Sequence, residues 1–151
     1  MHRSLLAGLL LALLSACAAP APEVTHAAPE LYPNETPELR ASINHWADHY
    51  DLPRDLVHRL AIRESTHRPS ARNGPYYGLL QILPATARSM GYQGSAEGLL
   101  DADANLEYAL KYLQGAYKVA DGDPDQAIKW YARGYYHEAK RKGLLDETGL
   151  R

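Results

Sequence analysis

The sequence has one cysteine, Cys17, which excludes an internal disulfide and a cysteine-rich zinc centre. Its seven histidines are scattered. His45 and His49 are spaced i,i+4, but Trp46-Ala47-Asp48 between them lacks the glutamate of an HExxH site. That pair reads as a helix face, and neither a metal nor a cofactor is expected. Strong charge of either sign is missing too: the net charge of -2 gives no electrostatic grip on nucleic acid. No run is apolar for the ~20 residues that a membrane-spanning helix needs; the longest is Leu5 to Leu14. Phenylalanine is absent while tyrosine numbers 11. Tyrosine fills a core as phenylalanine does, and its hydroxyl also suits contact with polar ligands such as sugars.

What is present begins with an address. Met1-His2-Arg3 is a weakly basic start, and Leu5 to Leu14 has the length of a signal-peptide core. The run closes on Leu14-Ser15-Ala16-Cys17. This order of apolar core, small residues and cysteine resembles the lipobox of bacterial lipoproteins. The resemblance implies a signal peptide over residues 1–16 and a lipid anchor on Cys17 that ties the chain to a membrane. Ala18 follows the cysteine where an Asp would retain the protein at the inner membrane. In a Gram-negative host the expected location is therefore the outer membrane, facing the periplasm. An ordinary secreted protein cut nearby is the alternative. Residues 17–36 hold Pro20, Pro22, Pro29 and Pro33 without an apolar period, and read as an extended tether.

From Thr36 onward helix signals repeat and strand alternation does not appear. Thr36-Pro37 predicts a capped helix to about Tyr50. Pro53 opens a second to about Ser65, and Pro84 a short third that Gly91 ends. Asp101 or Asp103 caps a long helix to about Ala120, with Leu106, Leu110, Leu113 and Tyr117 on one face. Asp123-Pro124 starts another, with Ala127, Ile128 and Tyr131 inward and Gly134 at its end; Tyr135 to Lys142 is the last. The expectation is one all-α domain of five or six helices over residues 37–151.

The second predicted helix carries the chemistry. Leu56, Leu60 and Glu64 recur every four residues and share a face. Glu64 then points inward or into a cleft at the edge of the core. Burial and the negative end of the helix dipole both favour its protonated form. Arg63, His67 and Arg68 oppose this if they fold over the site. From this segment alone, a structural glutamate paired with arginine is an equal reading.

The remaining motifs decide between them. Glu64-Ser65 is followed by Gly78-Leu79-Leu80-Gln81-Ile82-Leu83-Pro84-Ala85-Thr86-Ala87. Asn105 then leads a stretch ending Tyr112-Leu113, and Trp130-Tyr131-Ala132-Arg133-Gly134 comes last. In order and type these resemble the soluble lytic transglycosylases with their lysozyme-like, goose-type domain, over roughly residues 40–137. Leu80 stands where that family usually has Met, and Ala132 where it has Asn. The resemblance implies that Glu64 is the catalytic acid and then base. It further implies that Ser65 orients the sugar or the surroundings of Glu64, and that Gly78 lets the backbone approach the glycan. Leu80 would pack on a sugar face, Gln81 would bond an acetamido group, and the Tyr131 hydroxyl would hold Glu64.

The substrate implied is the peptidoglycan glycan strand, cut between N-acetylmuramic acid and N-acetylglucosamine with formation of a 1,6-anhydro end. Asp101, Asp103 and Glu107 are acids outside any matching motif. A hydrolytic muramidase on the same fold is one alternative. A non-catalytic glycan-binding or assembly lipoprotein at an envelope-spanning machine, its partner, is another. The basic stretch Lys140-Arg141-Lys142 reads as a solvated helix end.

Overall fold

A computed structural model describes residues 29–150, so the predicted signal peptide and Cys17 lie outside the described residues. The order of elements is α1 (Pro37–His49), α2 (Arg54–Ser65), β1 (Arg72–Asn73), β2 (Tyr76–Tyr77), α3 (Pro84–Ser89), a 3₁₀ turn (Glu97–Leu100), α4 (Ala102–Val119), α5 (Pro124–Arg133) and α6 (Tyr136–Lys142). The fold is all-α and lysozyme-like, with one small hairpin. Among the described residues no helix is long and apolar enough to cross a membrane.

Local chemistry explains the helix starts. Thr36 accepts a hydrogen bond from the Leu39 amide, Asp101 from Ala104 and Asp123 from Gln126. Each satisfies an amide that the first helical turn leaves unpaired. Proline occupies the first turn of α1, α3 and α5, where its missing N–H costs nothing. The hairpin was not expected from the sequence. It is antiparallel, with Arg72 opposite Tyr77 and Asn73 opposite Tyr76 around the Gly74-Pro75 turn. Two-residue strands are too short to show alternation.

α4 is the central post, with α1, α3, α5, α6 and the 3₁₀ turn packed against it. Leu106, Leu110 and Leu113 are fully buried on the predicted face, each worth about 2 kcal/mol of apolar transfer. Leu56 and Leu60 of α2, and Ala127, Ile128 and Tyr131 of α5, complete the same core.

The tether expectation is corrected at its C-terminal end. Arg40 donates to the carbonyls of Pro29 and Glu30, and Asn34 Nδ2 donates to the Thr66 carbonyl. Glu35 is buried, and the Tyr32 ring stacks on His67 with centroids 5.0 Å apart. Residues 29–36 therefore pack on α1 and on the end of α2. Their contacts come from single anchoring side chains, which leave no periodic signature.

Candidate active site

Glu64 lies in the last turn of α2, where the core face meets solvent; its side chain is 21 % exposed. Burial raises its pKa above the usual carboxylate range, and the charge of Arg63 opposes the rise. Arg63 Nε lies 3.4 Å from Glu64 Oε1, on a half-exposed side chain. The chain then reverses through Thr66 and His67, both in the left-handed region. Ser65 ties this reversal: its hydroxyl donates to the Ala61 carbonyl and accepts from the Arg68 amide. The Arg68 guanidinium also donates to the Ser65 carbonyl. Ser65 is 3 % exposed, so it shapes the surroundings of Glu64, and the expected sugar contact is not available to it.

The segment Gly78–Gln81 forms the facing wall. The Gly78 amide donates to Ala71, and Tyr77 and Ile82 exchange backbone bonds across it. Gly78 has φ +77°, and a Cβ there would lie 2.1 Å from the Leu99 carbonyl oxygen. The glycine is required by packing against the 3₁₀ turn and α4, which corrects the expected role in admitting glycan. Leu80 is also corrected: its side chain is completely buried and belongs to the core. Its backbone does the positioning instead. The Leu80 amide donates to Asn105 Oδ1, and the Leu80 carbonyl accepts from the Tyr131 hydroxyl at 2.8 Å. The Tyr131 proton thus goes to Leu80, in place of the expected bond to Glu64. Burial first, and then the charge of Glu64, push the Tyr131 pKa far up, so the hydroxyl stays a neutral donor.

Gln81 lines the groove beside Glu64 with φ +48°. Its Nε2 donates to the carbonyls of Gly78 (2.8 Å) and Ala71 (3.1 Å). The amide nitrogen is committed to the loop, which differs from a side chain free to bind an acetamido group through either end.

Sequence reasoning missed two contributions. Asn105, which opens the third motif, is wholly buried and bonds Leu80 N, Tyr77 O and Leu99 O. An asparagine at the core-facing start of an apolar helix was the available signal. Asn73 and Tyr76, brought in by the hairpin, line the groove next to Glu64. Two adjoining depressions of about 310 and 390 Å³ meet at Glu64 and Gln81, and a third continues past Tyr131 and Ala132 towards Gly134. Among the described residues, Glu64 is the single carboxylate lining them, beside Arg63, Arg68, Arg72 and Arg133.

The groove thus presents one carboxyl with a raised pKa on a helical framework. The family model described as the transglycosylase SLT domain matches residues 41–147, well over half of the chain, and the chain belongs to that family. Membership indicates transglycosylase-type activity on peptidoglycan. No solved structure matches the chain.

Proposed function

We propose that the protein is a lytic transglycosylase that cuts the bond between N-acetylmuramic acid and N-acetylglucosamine with Glu64 as its one acid–base. The observation that carries this reading is that Glu64, with its raised pKa, is the single carboxylate lining the groove among the described residues. A protonated Glu64 gives its proton to the glycosidic oxygen as the bond to C1 breaks. The muramic acetamido oxygen stabilises the positive charge at C1. Glu64, now a carboxylate, takes the proton from the C6 hydroxyl of the same sugar as that oxygen closes onto C1. The acid is regenerated and no water is consumed. Most glycosidases use two carboxylates; here the nucleophile is already tethered to the reacting carbon. Four arginines around the groove suit an acidic, lactyl- and peptide-bearing strand. Within this reading, the Gln81 carbonyl end and Asn73 face the substrate, while Ser65, Gly78, Leu80 and Tyr131 hold the walls.

The test is a digest of purified peptidoglycan followed by mass spectrometry. Anhydro ends, one water lighter than reducing ends, are expected from the wild type and none from a folded Glu64→Gln protein. Reducing ends from the wild type would overturn the mechanism in favour of the hydrolase. The lipid anchor at Cys17 and the outer-membrane location belong to the same proposal. Lipid-analogue labelling that persists in Cys17→Ser would remove them.

A further inference from the structure

Three side chains from separate stretches of sequence meet in the interior: Glu35 ahead of α1, His58 within α2 and His67 just after it. All three are buried, and one ligand-capable atom from each lies within 4.8 Å of the others. The geometry points to a divalent transition-metal site of the zinc class at Glu35, His58 and His67, clamping the N-terminal segment to the end of the catalytic helix.

The spacing is that of ligands around one ion. His58 Nδ1 shares a 3.2 Å hydrogen bond with His67 Nε2 and lies 3.5 Å from Glu35 Oε1. Two nitrogens bound at 2.0–2.1 Å to a tetrahedral zinc lie about 3.3–3.4 Å apart. Hydrogen bonding among the three groups is incomplete. Glu35 Oε1 is buried without a hydrogen-bond partner, and so is His67 Nδ1. Buried polar atoms in folded proteins rarely stay in that state, and a cation between the three would use the lone pair of Oε1.

The donor chemistry agrees with this geometry. Two imidazoles and one carboxylate form a donor set typical of zinc with one open position. The support around them is fixed. Glu35 Oε2 accepts from the Tyr32 amide and from Arg40, leaving Oε1 turned to His58. The Tyr32 ring stacks on His67 and leans on His58, locking both imidazoles. His67 adopts φ +55°, a conformation more usual for glycine, and so carries its ring inward. His58 also lines a surface depression with Tyr32 and Arg40, which gives access from solvent. The charge of Arg40 works against the ion, so affinity falls below that of a site without a neighbouring cation.

The test uses the untagged full chain carrying Cys17→Ser, which removes the one thiol, stripped with chelator and titrated with Co²⁺ and then Zn²⁺. One Co²⁺ per chain is expected, with the visible bands of a low-coordinate nitrogen–oxygen site, displaced by Zn²⁺. Excess Zn²⁺ is expected to raise Tm by several degrees. Glu35→Gln and His67→Ala, checked for folding by circular dichroism, are expected to weaken binding at least tenfold. The double variant His45→Ala/His49→Ala, which removes the exposed pair, is expected to bind as the parent does. A folded parent without a saturable cobalt spectrum would overturn the site. So would binding that is lost with His45 and His49 but kept in His67→Ala. If the interior variants do not fold, the parent and the surface-pair variant decide the matter between them. None of these readings depends on wall cleavage.

Discussion

Glu64 and Arg63 set opposing influences on one proton. The pKa of Glu64 is raised by burial and pulled back by Arg63. On the proposed mechanism cleavage starts from the protonated acid, so activity is expected to fall as pH rises through that raised value. Removing Arg63 takes away a charge that favours the carboxylate. The alkaline limb of the pH–rate profile of Arg63→Ala is therefore expected at higher pH than in the wild type; a limb moved the other way would contradict the assignment. The same sign governs stability. Ionised Glu64 is disfavoured in the folded state, so its contribution is fully present below its unfolded pKa and is lost as pH rises through the folded one. Glu64→Gln is expected to gain about 0.5–1 kcal/mol at neutral pH, read by chemical denaturation, while losing activity. Tyr131→Phe orphans the buried Leu80 carbonyl. It is expected to cost about 1–2 kcal/mol and to lower kcat through the displaced loop.

At the scale of elements, the loop between β2 and α3 depends on contacts from distant helices. Gly78→Ala would drive a methyl into the Leu99 carbonyl at a positive φ. Asn105→Ala would break three buried bonds at once. Each is expected to cost about 3 kcal/mol or more in denaturant unfolding, with Tm falling accordingly. The six helices were legible in the sequence because caps, first-turn prolines and a four-residue apolar repeat are local signals. The place of Glu64 at the edge of the core was legible for the same reason, since Leu56 and Leu60 fix its face. The roles of Gly78, Leu80 and Tyr131 were not. A motif shows that residues occur together, but not whether their side chains face a ligand or one another. The turn that buries Leu80 and points its carbonyl at Tyr131 depends on Asn105, 25 residues further on.

At the scale of the molecule, the domain begins earlier than its first helix. A chain starting at Pro29 keeps Tyr32, Asn34 and Glu35 on α1 and α2, whereas one starting at Pro37 loses them together with the Thr36 cap. The shorter chain leaves Arg40 without its buried carboxylate, and is expected to be less stable by about 3 kcal/mol or more. Equal denaturation midpoints would show that the segment contributes nothing. This part of the fold escaped the sequence reading because proline-rich composition describes how a segment travels and not where it attaches.

The Arg133 guanidinium lies over the Trp130 indole, 3.8 Å from the ring centroid, and the same arginine lines the groove beyond Tyr131. The other tryptophan, Trp46, is on α1 and donates to Asp103. The protein therefore carries an intrinsic optical reporter at one end of its groove. In a Trp46→Phe chain, a glycan that draws Arg133 off the indole should change the emission of Trp130, so occupancy can be followed by fluorescence without a label and without turnover.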